Sequence, residues 1–425
     1  MRRLKSHAGA RVQKIVATSS STPTLATAFE PNNNSLNAQR LIFSALVIFA
    51  HTWPAGGFGR IDVGYSDPGA FGVDGFFVIS GFLVTGSCLR ASSVRRFLWF
   101  RFLRIYPGLL TALLLVALVT APLAWLHDRG TLAGYFSAAP HGPATYVVSN
   151  LELRGVNTDI AGTPDGVPWP APPVAPSWNV PLWTLHWEVL CYLGVAVLGV
   201  TAVLRRRPVV VLSIFIAVWI VLVVRTVGPE AGPVAHGGAQ ASVGLRFAPL
   251  FLSGMLLSLY ADRIKLSGKL AAVAALGVAG SFAVPEPRIF LALTLGYLCL
   301  WLAVRVPTRR FGYRRDLSYG LYVYSSPILQ LATIYHLQRL GPALYSAVTG
   351  LVTVLLAWIS WTLVERRALE LKQWTPRLPA RWRPATTDHR GGNEPGMAPV
   401  QIALQRTADE VTDLDSPTAG DAGRV

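Results

Sequence analysis

Arg40 and His51 bracket ten residues that are all apolar or small, within RLIFSALVIFAHTWP. An imidazole can exchange a proton near neutral pH. A guanidinium can grip a phosphate or carboxylate through two parallel N–H donors. On a helix, eleven residues advance about 1,100°, about 20° past three full turns, so both side chains share one face, roughly 16 Å apart along the axis. His51 therefore stands deep in a segment otherwise fit for lipid. Ionisable groups at that depth are costly and usually face an interior cavity. The structural alternative is a neutral imidazole hydrogen-bonded between helices. Spacing alone leaves both open.

Other polar residues fall at comparable places. Asp74 lies near the outer end of GAFGVDGFFVISGFLVTGS (69–87), with the small pair Ser80-Gly81 in its middle. Small residues there permit close helix contact. RRFLWFRFLRIYP (95–107) interleaves Arg95, Arg96, Arg101 and Arg104 with aromatic residues. Arg95 and Arg96 read as headgroup anchors. Arg101 and Arg104, three apart, share a helix face and could hold a phosphorylated ligand on the cytoplasmic side. PLWTLHWEVLCYL (181–193) places His186 and Glu188 beside Trp183 and Trp187. Those tryptophans could be an interfacial belt, whereas Glu188 lies deeper and needs a partner.

The elements that must position these residues are membrane helices. Of 425 residues, 52% are hydrophobic and only 14% charged, against about 25% charged in a soluble chain. About ten apolar stretches approach the ~20 residues needed to cross a bilayer. They lie near 40–58, 71–89, 105–126, 182–203, 208–226, 244–261, 269–284, 288–304, 317–337 and 343–365. With the N-terminus inside, 30 of the 38 Lys and Arg fall on inner segments, a strong positive-inside bias. The net charge of +16 is thus explained by topology and calls for no nucleic acid. Cys88, Cys191 and Cys299 sit in apolar stretches, giving neither a disulfide framework nor a metal-binding pair; no metal is expected.

The expected fold class is all-α, a polytopic membrane helix bundle of about ten transmembrane helices, both termini cytoplasmic, in the inner (plasma) membrane. Residues 1–36 are polar, lack the apolar core of a cleavable signal peptide, and are expected to be a disordered cytoplasmic segment. The membrane domain covers 37–370. Its external loop, 127–181, is rich in Pro and Gly and contains PDGVPWPAPPVAP at 164–176. Residues 371–425 are expected to be a disordered cytoplasmic tail.

Together these stretches resemble the acyltransferase-3 family of integral membrane acyltransferases. The R-x10-H pattern matches Arg40 and His51. The G-V-D-x-F-F-x-x-S-G-F-L pattern matches Gly72, Val73, Asp74, Phe76, Phe77, Ser80, Gly81, Phe82 and Leu83. R-x-x-R-I-x-P matches Arg101, Arg104, Ile105 and Pro107. W-T-L-x-x-E matches Trp183, Thr184, Leu185 and Glu188. D-x-S-Y-G-x-Y matches Asp316, Ser318, Tyr319, Gly320 and Tyr322, and a closing E-R matches Glu365 and Arg366. The matches run in order from about 37 to 370. One departure stands out: where many members carry a second histidine, two residues before a proline, this chain has Ser325.

The resemblance implies transfer of an acyl group, most often acetyl from acetyl-CoA, to a hydroxyl of a surface polysaccharide or its lipid-linked sugar precursor. An alcohol attacks a thioester slowly unless a base removes its proton. His51 is the candidate general base, or a transient acyl carrier, with Asp74 or Glu188 as the orienting acid. Arg40, Arg101, Arg104, Ser80 and Tyr319 are candidates for holding the acyl-CoA. Trp169, Trp178, Trp183 and His186 are candidate acceptor-binding residues, with membrane lipid as the surrounding partner. Acylation of a secondary metabolite or glycolipid is an alternative. A transporter is another, although no inverted repeat of the R-x10-H motif is visible in the second half.

Overall fold

The computed structural model describes residues 22–31, 33–153, 157–169, 177–227, 240–306 and 316–374, of 240–243 the backbone alone. The described residues are helical, with isolated backbone bridges and no strand. Short α1 (Leu25–Ala28) precedes α2 (Leu36–Ala55), α3 (Pro68–Arg90), α4 (Val94–Leu115) and α5 (Ala121–Arg129). Then come α6 (Pro143–Asn150), α7 (Leu182–Val200), the short α8 (Val203–Arg206), α9 (Pro208–Val227) and α10 (Gln240–Leu259). The chain continues through α11 (Gly268–Ser281), α12 (Arg288–Arg305), α13 (Ser318–Ile334), α14 (Pro342–Ser360) and α15 (Arg366–Glu370). A helix thus occupies each of the places where an apolar stretch was expected. Six helices among the described residues are long and apolar enough to cross a membrane: 68–90, 94–129, 182–200, 208–227, 288–305 and 342–373.

Local chemistry sets the helix ends. Asp67 caps α3 by accepting the Ala70 N–H at 2.9 Å, and Pro68 takes the first turn, where its missing N–H costs nothing. Ser93 caps α4 through the Arg96 N–H. That cap starts α4 at Val94, so the helix reaches back through the basic-aromatic run ahead of the apolar stretch expected at 105–126. A widened turn over Val116–Thr120 joins α4 to α5, and the Tyr135 hydroxyl donates to the Ala117 carbonyl there at 2.7 Å. Gly130, at φ 70°, ends α5, a conformation glycine adopts without strain.

α3 is the central helix. In its most apolar stretch 67% is buried, against 17% for α9. α3 meets α10 at Gly81 and Gly254: a Cβ on Gly81 would lie 2.1 Å from the Phe251 carbonyl oxygen, and one on Gly254 2.1 Å from that of Val78. Two backbones this close exclude any side chain between them. α2 and α13 run parallel. Ser44 Oγ donates to the Ser318 carbonyl at 3.0 Å near one end, and Thr333 Oγ1 to the Ala55 carbonyl at 2.9 Å near the other. The outer faces of α9 and α14 show Val209, Ile216, Ile220, Val224, Leu351 and Leu355, an apolar surface suited to lipid and not to water.

Two expectations for the ends and loops change. Residues 22–31 belong to the segment expected to be disordered, yet the Leu25 N–H donates to the Ile264 carbonyl at 2.7 Å and the Leu266 N–H to the Pro23 carbonyl at 2.9 Å. Leu25 is buried. Tertiary backbone pairing orders a stretch too short and polar to fold by itself. Residues 1–21 and 375–425, most of the two segments expected to be disordered, lie outside the described residues. Within residues 127–181, expected to be an irregular external loop, α6 and the Ile160–Thr163 turn give structure.

Candidate active site

A cavity opens among α2, α3, α4, α7 and α13, and Arg40, Arg101, Arg104, Ser80, Glu188 and Tyr319 all line it. Their positions in sequence span almost three hundred residues; helix packing brings them to one place. Arg40 Nη1 and Arg104 Nη2 both donate to Asp316 Oδ2, each at 2.5 Å. Arg40 lies 6.0 Å from the Phe76 ring centre and Arg104 5.8 Å from that of Tyr319, so each guanidinium is held by a carboxylate and an aromatic ring. Arg101 lies 5.5 Å from the Tyr192 ring centre and donates to Ser87 Oγ at 3.4 Å, while its Nε is buried without a hydrogen-bond partner.

The cavity's other polar groups form a small network. Glu188 Oε1 accepts from Ser80 Oγ at 3.4 Å and from the Tyr192 hydroxyl. The Tyr319 hydroxyl donates to the Ile105 carbonyl at 2.9 Å. Gly108 makes room for that ring, since a Cβ there would lie 2.6 Å from it. Thr184 and Tyr322 hydroxyls meet at 2.5 Å on the cavity wall. Val73, Phe77, Leu83 and Leu185 supply an apolar lining. Burial strips water from the Asp316 carboxyl and disfavours its charge, but Arg104, Arg40 and two Ser318 hydrogen bonds outweigh this and hold it well below the usual carboxylate range.

His51 does not line this cavity. Its ring lies against Trp169, tilted, with centroids 4.6 Å apart and planes at 34°, and its Nδ1 is buried without a hydrogen-bond partner. Its level follows from the parallel run of α2 and α13. Ser44 meets Ser318, His51 is seven residues further along α2, and Tyr322 four residues further along α13. His51 therefore stands beyond Tyr322 along the axis, on the side of the Ala55–Thr333 contact.

The expected orienting acids are engaged elsewhere. Asp74 is fully buried and pairs with Arg288 at 3.1 Å and Arg246 at 3.7 Å; Arg288 also holds Glu286 at 3.0 Å. A carboxylate claimed by two guanidiniums inside a helix bundle balances them together with Glu286 and is not free to orient an imidazole. Glu188 faces the arginine cavity. Among the acceptor-site candidates, Trp178 is wholly buried and its indole N–H donates to Thr163 Oγ1 at 3.2 Å. It packs the loop and offers no open face for a sugar. Trp169 lies against His51. Trp183 is partly exposed, 5.5 Å from the Phe247 ring and beneath Arg246, and His186 lies edge-on to Trp187.

Asp316, Ser318, Thr184, Tyr322 and Tyr192 belong to the site although none was a sequence candidate for it. Asp316, Ser318, Tyr322 and Thr184 stood within recognised motifs. Their contacts with Arg40, Arg104 and each other cross more than a hundred residues, beyond what local spacing can show. Among the described residues no three His, Cys, Asp or Glu side chains are grouped to hold a metal ion.

Comparison with known proteins matches this sequence to a family. The acyltransferase domain matches residues 33–362. "Nodulation protein 10" of Rhizobium leguminosarum bv. viciae is 27% identical over 369 residues, covering 80% of this chain and 94% of that protein. The "O-acetyl transferase" of Shigella phage Sf6 is 25% identical over 362 residues, covering 79% of this chain and 96% of that protein. No solved structure matches. The match takes in every helix from α2 to α14 and every residue of the arginine cavity, and the chain belongs to the acyltransferase-3 family of membrane O-acyltransferases.

Proposed function

We propose that the protein moves an acyl group, acetyl in the first instance, from acyl-CoA on the cytoplasmic side to a hydroxyl of a surface polysaccharide or its lipid-linked precursor. The observation that carries this reading is the convergence of Arg40, Arg101 and Arg104 on one cavity. Three guanidiniums with apolar walls between them suit a ligand that is phosphorylated at one end and uncharged along its arm. The relative named an O-acetyl transferase supports acetyl as the group moved. The topology that goes with it is ten spans in the inner membrane with both termini cytoplasmic, which puts the arginines on the cytoplasmic side.

His51 is the general base. Its free Nδ1 and its place beyond Tyr322 suit a proton acceptor where the thioester ends. The acceptor oxygen bonds to the thioester carbonyl carbon, the carbon–sulfur bond breaks, and the hydroxyl proton passes to the imidazole and then to the departing thiolate. Trp169 keeps the ring oriented. The thioester must pass the level of Tyr322 to reach His51.

The test uses membranes containing the protein and radiolabelled acetyl-CoA. His51→Ala, inserted to the wild-type level, is expected to lower acetyl transfer to the envelope glycan fraction by about a hundredfold or more, the span typical of a general base. Transfer at the wild-type rate overturns the base assignment. Loss of the gene is expected to remove acetyl from the surface glycan; unchanged glycan acetylation overturns the acceptor class.

A further inference from the structure

We infer that Asp316 is a positioning residue that sets Arg40 and Arg104 side by side as one anion-binding surface. The inference rests on the proposed donor site. One carboxylate oxygen, Oδ2, accepts from both arginines at 2.5 Å. The other, Oδ1, accepts from the Ser318 N–H at 3.3 Å and the Ser318 hydroxyl at 2.5 Å. Asp316 is therefore fastened to the first turn of α13 by one oxygen and gathers the arginines with the other.

Its place decides its role. Arg40 and Arg104 line the cavity, and Ser318 does too, but Asp316 does not. The carboxylate binds the guanidiniums without itself lining the cavity, so it acts through them. Two guanidiniums brought this close repel one another. A shared carboxylate removes one of the two positive charges and fixes both groups in place. Each guanidinium has five N–H donors, so one given to Asp316 leaves others for the cavity. The faces are held as well, Arg40 near Phe76 and Arg104 near Tyr319. The surface that results suits a phosphate or diphosphate, whose several oxygens can bridge two cations at a fixed separation.

The experiment measures initial rates of acetyl transfer against acetyl-CoA concentration in membranes. It compares wild type, Asp316→Asn, the Arg40→Ala/Arg104→Ala pair, and the triple variant. Asn keeps the shape of Asp and removes its charge. Asp316→Asn is expected to raise the KM for acetyl-CoA roughly ten- to a hundredfold, the range for lost hydrogen bonds to charged groups, with kcat at saturating donor within a few fold of wild type. In the arginine-deleted background the same change is expected to add nothing. An undiminished effect in that background assigns Asp316 a general structural role and overturns the inference. A wild-type KM in Asp316→Asn, with a raised KM in the arginine pair, also overturns it and leaves the donor site standing. A wild-type KM in the arginine pair defeats the donor site itself. If Asp316→Asn fails to reach the membrane, Ser318→Ala removes only one of the bonds that fix the carboxylate; a smaller rise in the same KM supports the inference and no rise overturns it.

Discussion

Asp316 also makes the site sensitive to acid. Its carboxyl is held below the ordinary range in the folded protein and returns to about 4 when the chain unfolds. A carboxyl depressed by folding contributes stability that is fully present above the unfolded value and lost as pH falls through the folded one. The thermal midpoint of detergent-solubilised protein is therefore expected to fall as pH drops below about 4, and to fall less steeply in Asp316→Asn. Equal slopes in the two proteins would place the acid-labile group elsewhere. The basic half of this pairing was legible in the sequence, because arginines at helical spacing inside an apolar chain are few and conspicuous. The acidic half was not. Asp316 and Asp74 each meet two arginines, but no local spacing distinguishes a carboxylate that clamps arginines from one that orients a histidine. Trp178 was misread for the same reason: the indole of a packing residue and that of a binding residue are spelled alike.

Helices were the most legible elements. An apolar run long enough for lipid has to satisfy its backbone internally, so each expected stretch is a helix here. Their ends were less visible. α4 starts at Val94, inside a basic run, because Ser93 caps it and long arginine side chains can carry their charge away from the apolar helix body. The Leu25–Ala28 arm was missed because its order comes from residues 261–266, far away in sequence. The α3–α10 crossing was half legible: Gly81 was recognised as small, but its partner Gly254 was not. Gly81→Val is expected to destabilise the protein by about 1–3 kcal/mol or more through overpacking, read as a lower thermal midpoint of the solubilised protein. Gly280→Val is the comparison, since a Cβ there meets nothing within 4 Å. Equal shifts in the two would show that the crossing tolerates separation.

Across the whole molecule, charge and burial are segregated. The chain carries +16, yet the buried ionisable side chains among the described residues include Asp74, Glu286 and Glu365 against Arg246 and Arg288. Among the described residues the buried interior is therefore close to charge balance. Asp74, Arg246, Glu286 and Arg288 supply most of that balance and join α3, α10 and α12. Asp74→Asn leaves two guanidiniums short of an acid and is expected to cost about 3–5 kcal/mol, seen as poor recovery of folded protein in detergent. Asp74→Asn with Arg246→Met restores neutrality and is expected to recover much of that loss; no recovery would mean that shape, not charge, holds the cluster. Four side chains whose charges cancel only as a set constrain evolution jointly. A drift at any one position creates a defect that the other three register, so descendants of this chain should keep or replace them as a quartet, even while the lipid-facing residues around them change freely.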